Sequence, residues 1–172
     1  MRWTVHGERT LYDSDWVRLT LVDVELPSGD RFEHHVIRIP RPAAATVVRR
    51  GREILLLWRH RMATDSWGWE VPAGRAEPGE SLEETACREA VEETGWLPRG
   101  LSRLGVFHPM PGAVDQTWHV FLAEDAEQVG TADPDEAERV EWVTEERVRE
   151  LLRDGSISDG YSLVALYWAL ES

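Results

Sequence analysis

The sequence predicts an α+β protein, a mixed central sheet sandwiched between helices (α/β/α), preceded by an N-terminal antiparallel β-hairpin. Three observations carry that reading. Residues 1–40 are strand-like and poor in large apolar side chains. A helical stretch at residues 82–94 separates this and a second run of strands from a third. The chain then closes on two capped, amphipathic segments. A chain of 172 residues is one domain with room for a small extension. The expected division is 1–40, a β subdomain, and 41–172, the main domain.

In the first segment, residues 16–26 are rich in β-branched side chains with partial period-2 alternation. Pro27–Asp30 reads as a turn and residues 31–39 as the returning strand. The segment lacks a core of its own and must pack on something else. Pro40 and Pro42 make a stiff connection. Residues 43–48 and 53–58 flank a charged turn, Arg49–Arg52, as a second hairpin. Ile54–Leu57 is continuously apolar, as in a strand covered on both faces. Residues 67–74, broken by Gly68, Pro72 and Gly74, read as irregular and extended.

Pro78 and Gly79 mark a turn, and Ser81 three residues before Glu84 is a capping box. The helix runs to about Thr94, with Leu82, Ala86, Ala90 and Cys87 toward the core and Gly95 as its stop. Residues 104–107, 117–123 and 140–143 read as strands, 108–116 as a breaker-rich loop, and 124–138 as an acidic loop. Thr144 starts a helix that ends near Gly155. Ser158 or Asp159 caps the last helix, with Leu163, Leu166, Tyr167 and Leu170 as its apolar stripe.

Composition narrows the function. No apolar run reaches eighteen residues and the N-terminus is not a signal peptide, so no membrane partner is expected. The only cysteine, Cys87, cannot form an intrachain disulfide; it reads as a buried spectator thiol and suits a reducing, cytoplasmic compartment. A formal charge of −13 argues against nucleic-acid backbones as partners, which need a positive surface. It leaves room for a small phosphorylated substrate neutralised locally. His34, His35 and His60 have no cysteine at zinc spacing. Tryptophans 58, 67 and 69 divide between core and stacking surface in a way the sequence leaves open.

The chemistry concentrates on the central helix. Glu89 and Glu93 are one turn apart on one face, and Glu92 flanks them. Like charges at this spacing cost an isolated helix a few tenths of a kcal/mol per pair, roughly. A divalent cation converts that cost into coordination, and hard carboxylate oxygens suit Mg²⁺ or Mn²⁺. A solvated acidic helix is the competing reading. The surroundings shift the balance: Gly74, Glu80, Arg88-Glu89, Glu92-Glu93 and Gly95-Trp96 form one long pattern.

That pattern resembles the Nudix hydrolase signature at every fixed position, with Ala90 and Trp96 at its apolar places. The resemblance implies a Nudix-type sandwich and metal-dependent hydrolysis within the phosphate linkage of a nucleoside diphosphate derivative. It further implies Glu89 and Glu93 as principal ligands, Glu92 bridging or acting through water, and the Ala73 carbonyl as another ligand. Gly74, Glu80, Arg88 and Gly95 are implied as architecture, with Glu80 and Arg88 in a salt bridge. Arg31–His35, Trp58–Arg61, the entry to Gly74, and Pro111 with Gly112 look like the ADP-ribose pyrophosphatase branch, where the Pro111 loop shapes the nucleotide and ribose side of the pocket. Gln116 departs from it, since the branch often has an acidic residue there. The branch draws a general base from an acidic loop; here Glu136 is the first choice and Glu138 the second, with Glu92 nearby. Arg59 and Arg61 are diphosphate or terminal-ribose contacts by charge and position, with surface ion pairs as the alternative. The branch also implies a homodimer whose N-terminal strands cross to the partner. Two alternatives stay open: a Nudix enzyme for a triphosphate, dinucleoside polyphosphate or other sugar nucleotide, and a non-catalytic nucleotide sensor.

Overall fold

The computed structural model describes all 172 residues. In chain order the first strands are β1 (Thr4–Asp13), β2 (Arg18–Glu25), β3 (Arg31–Arg38), β4 (Ala43–Arg50), β5 (Glu53–Arg61), β6 (Ser66–Glu70) and β7 (Ala73–Arg75). Helix α1 (Leu82–Thr94) follows, then β8 (Trp96–Arg99), β9 (Ser102–Phe107), β10 (Val114–Asp115), β11 (Trp118–Ala123), β12 (Asp125–Gln128) and β13 (Arg139–Thr144). Helices α2 (Glu145–Asp154) and α3 (Gly160–Leu170) close the chain. Two compact units result, Met1–Pro42 with His108–Thr117, and Ala43–Phe107 with Trp118–Ser172. The breaker-rich loop therefore belongs to the N-terminal unit, although it lies in the middle of the chain.

The N-terminal unit is a four-stranded sheet in the order β1-β2-β3-β10. The expected hairpin is β2 and β3, turned at Leu26–Asp30 with Gly29 at φ +92. β1 lies antiparallel along the whole of β2, and all ten of its residues are exposed. Strand β2 is the inner one, and Thr20, Leu21, Val22 and Val24 are buried. The loop at 108–116 contributes β10, held parallel to β3 by the Ile37 amide donating to the Ala113 carbonyl at 2.8 Å. A two-residue strand carries no periodicity, so the sequence reads as loop there.

The larger unit is built on a mixed sheet, β13-β5-β4-β11-β9, with β4 and β11 parallel at its centre. Ile54–Leu57 are fully buried, as a run covered on both faces requires. β4 and β5 pair only at Arg49↔Ile54 and Arg50↔Glu53, then separate. Their freed edges would leave backbone groups unpaired, and β6 pairs with β5 and β7 with β4 instead. Residues 67–74 are thus not irregular, as expected, but supply two strands that fill a split in the sheet. Likewise the acidic 124–138 segment is not all loop, because β12 pairs with β8. Both partners are short and neither alternates, so only pairing reveals them.

Helix α1 has the expected capping box, and Gly95 ends it at φ 78 with its N–H on the Val91 carbonyl. Its buried face is Thr85, Ala86, Ala90, Glu93 and Thr94. Leu82 and Cys87, expected toward the core, are only half-buried. Ala44, Ala86 and Phe121 pack together beneath it, and the small alanines let helix and sheet approach closely. Thr144 caps α2, and Asp159 rather than Ser158 caps α3. The buried face of α3 is Ser162, Ala165, Leu166 and Ala169, while Tyr167 of the expected stripe is exposed. That helix is apolar nearly all round, so its pattern does not define a face.

Gly95 yields a first prediction. A Cβ there would lie 2.6 Å from the Gly130 carbonyl oxygen, a backbone atom, and φ 78 disfavours any L side chain. Gly95→Ala should destabilise the fold by about 2–4 kcal/mol, read as a lower denaturant midpoint with unchanged slope.

Candidate active site

The split in the sheet places β7 over the carboxylate face of α1. A Cβ on Gly74 would sit 2.0 Å from Glu89 Oε1, so the glycine is what admits the Glu89 side chain. Glu89 is largely buried, and burial raises its pKa against the lowering influence of Arg88 beside it. Glu93 is 4% exposed. Its Oε2 accepts from the Ala73 amide at 2.9 Å, and its Oε1 accepts from Arg59 Nη1. Burial pushes Glu93 up to about 7 although the Arg59 charge opposes it. Glu92 is exposed and accepts from Arg88 Nη1 at 2.9 Å. The three glutamates therefore share the helix, but no three acidic or histidine side chains converge on one point.

Arg88 ties the loop to the helix. Its Nε donates to Glu80 Oε1 at 2.8 Å and its Nη2 to Glu80 Oε2 and to the Arg75 carbonyl, each at 3.0 Å. This bonding holds the Glu80 carboxyl at about 2, well below its ordinary 4.5, and raises the Arg88 guanidinium. A depressed carboxylate stabilises fully above pH 4.5 and loses that contribution as pH falls toward 2. Glu80→Gln should cost about 1–2 kcal/mol at neutral pH and little once the pH has fallen through about 2. Equal losses at both ends of a pH series of unfolding curves would contradict the ion pair as their source.

The acidic loop is fastened at two points, by the Asp133 amide to the Glu92 carbonyl and the Glu138 amide to the Trp58 carbonyl, each at 3.0 Å. Arg59 links it to the helix: Nη1 reaches Glu93 and Nη2 reaches Glu136. Glu138 is exposed and lines a cavity of about 400 Å³ with Arg59, Trp67 and Glu136. Arg61 goes elsewhere. Its Nε donates to Glu70 Oε1 at 2.8 Å and its Nη2 to Glu70 Oε2, and both residues line a second cavity of about 810 Å³ that reaches Ala73. Pro111 and Gly112 line a third, of about 610 Å³, within the N-terminal unit, with Trp3, His34 and His108. The four residues expected at the substrate thus divide among three cavities.

The structure also partitions the tryptophans: Trp69 is buried in the core, whereas Trp67 is half exposed and stacks on Trp58 at 6.1 Å. Glu70 went unnoticed in the sequence. Its signal was a glutamate amid apolar residues in an extended stretch, where a buried charge demands a partner.

A family model for the NUDIX domain matches residues 39–164. The chain is a Nudix hydrolase. It is 42% identical over 156 residues to a CMP-5'-(N-acetyl-N-hydroxy-3-aminopropyl)phosphonate hydrolase of Streptomyces rubellomurinus, covering 90% of this chain and 76% of that one. It is 31% identical over 165 residues to an ADP-ribose pyrophosphatase of Bacillus subtilis, covering 94% and 89%. A solved structure described as an ADP compounds hydrolase superposes with a TM-score of 0.88 at 22% identity, covering 99% of this chain and 94% of that one, and so shares the fold.

The site of this Nudix hydrolase suits a hard cation by its donor set. Glu89 and Glu93 are desolvated carboxylates whose charges oppose each other, and Glu92 and Glu136 add to the opposition at Glu89. Arg59 is the cation now set against Glu93. Oxygen donors of this kind fit Mg²⁺ or Mn²⁺.

Proposed function

We propose that this Nudix hydrolase cleaves the diphosphate linkage of ADP-ribose or a related nucleoside diphosphate sugar, giving a nucleoside monophosphate and a sugar phosphate. The reading rests chiefly on Arg59, which brings Glu136 of the acidic loop to the buried Glu93. Glu89, Glu92, Glu93 and the Ala73 carbonyl would hold Mg²⁺ or Mn²⁺, which when bound offsets charge on phosphate oxygens and acidifies water. Glu136 takes the proton of the attacking water, with Glu138 as the second choice. The new P–O bond forms as the bridging P–O bond breaks, and the bridging oxygen leaves on the other phosphate. Arg59 then turns its fork to the phosphate oxygens.

A second reading has its own support. The relative at 42% identity carries in its name a CMP unit joined to a phosphonate, and the acidic residue common near position 116 in the ADP-ribose branch is Gln116 here. Both readings share a nucleoside 5′-phosphate joined to a second phosphorus group. Hydrolysis of ADP-ribose, a CMP-linked phosphonate, other nucleotide sugars and the common triphosphates, in Mg²⁺ and in Mn²⁺, separates them. AMP with ribose 5-phosphate supports the first, and CMP with free phosphonate the second. Pyrophosphate released from triphosphates alone, or binding without turnover, would sink both.

A homodimer belongs to the same proposal. The fully exposed β1, with Val5, Leu11 and Tyr12 among its side chains, supports a second copy as its cover. A particle of monomer mass in light scattering at micromolar concentration would refute it. Half-buried Cys87, whose thiol burial makes less acidic, fits a reducing, cytoplasmic setting.

A further inference from the structure

The cavity of about 810 Å³ at the N-terminus of α3 is not used by the steps above. It runs from Ala73, whose amide holds Glu93, and it is lined by Arg61, Glu70, Trp118, Asp159 and Tyr161. Its volume is that of a site for a nucleoside-sized ligand. Tyr161 and Trp118 form an aromatic wall, stacked at 3.8 Å and 18°. Glu70, 3% exposed, holds Arg61 by Nε and Nη2, which leaves Nη1 as the guanidinium nitrogen without a bond. Asp159 spends Oδ2 on the Ser162 amide and hydroxyl, both at 2.8 Å, which leaves Oδ1 as its one open acceptor. Trp118 is 6% exposed, and its buried indole N–H acts on the Tyr161 hydroxyl.

We infer that this cavity is a nucleobase subsite selective for bases whose Watson–Crick edge sets an exocyclic amine beside an unprotonated ring nitrogen, namely cytosine and adenine. One anionic acceptor, Asp159 Oδ1, meets the amine. One donor, Arg61 Nη1, meets the ring nitrogen that neighbours it. Uracil and hypoxanthine present an acceptor where the amine stands and a donor at the adjacent ring position, so they set oxygen against carboxylate. Guanine pairs with a carboxylate through two N–H groups and needs both oxygens, one of which is committed to the helix cap. Tyr161 supplies the stacking face. The base is thereby assigned to the cavity of Arg61 rather than to the Pro111–Gly112 loop that family resemblance suggests. The inference rests on the proposed function only in taking the ligand to be a nucleotide.

Calorimetric titration of CMP against UMP and of AMP against IMP, in Mg²⁺, tests it with pairs that differ mainly by amine and carbonyl. The amino member should bind at least about tenfold tighter in each pair. Asp159→Asn keeps the helix cap, since asparagine caps as well as aspartate, and should bring both ratios to within about threefold. Tyr161→Leu should weaken all four ligands together. Equal affinities within the pairs, or selectivity that survives Asp159→Asn, would overturn the subsite whether or not diphosphate esters are hydrolysed. Selective binding without any hydrolysis would keep the subsite and discard the proposed reaction.

Discussion

Glu93→Gln should lower hydrolysis by at least about a hundredfold while leaving the fold intact. Loss of groups that merely orient a metal ligand typically costs ten- to a hundredfold, roughly, and a ligand itself more. The substitution is nearly isosteric, so the Ala73 amide keeps an acceptor at the same position. It removes a carboxylate that burial has raised to about 7, so a desolvation cost disappears with it. Arg59 stays anchored by Glu136. The thermal midpoint should therefore move by no more than about 4 °C, roughly 1 kcal/mol for a chain of this size. A Mn²⁺ titration followed by electron spin resonance should show weaker binding in parallel. Full activity in this variant would remove Glu93 from the metal site.

Gly74→Ala should do comparable damage by a different route. The added Cβ would meet the Glu89 carboxylate at 2.0–2.4 Å, closer than any contact can be. The obstructed atoms are the far end of a flexible side chain, so Glu89 swings away and stability falls by less than about 1 kcal/mol. What is lost is position. Activity should drop about a hundredfold, since ligands must be held within about half an ångström. The contrast with Gly95→Ala is diagnostic: there the clash is with backbone, and the loss should appear as unfolding. A Gly74→Ala protein that unfolds early yet turns over normally would reverse these roles.

Local chemistry was enough to set out much of this protein. The α1 helix was legible from its own residues, because the Ser81–Glu84 capping box and Gly95 act within a turn of the helix they bound. Glu89 and Glu93 were legible for the same reason, as a helix places residues four apart on one face. The long hairpins and the buried run Ile54–Leu57 followed from composition along a strand. The spacing of Gly74, Glu80, Arg88 and Gly95 led to the family, which the match over residues 39–164 then established.

Everything that depends on two distant segments meeting was decided only by the tertiary structure. β6, β7, β10 and β12 are two to five residues long and exist because a neighbouring edge needed hydrogen bonds, a condition no local pattern encodes. Arg59 and Arg61 are equivalent on paper, yet one crosses to Glu93 and Glu136 while the other is locked to Glu70. They sit two residues apart on β5, and what separates them is the groups that the divided sheet and the acidic loop bring to each. Pro111 and Gly112 read as part of an unpaired, breaker-rich loop, but β10 pairs that loop with β3 in the N-terminal unit. Sequence determines which groups can bond and within what short range. Which of them do is settled by the sheet that carries them together.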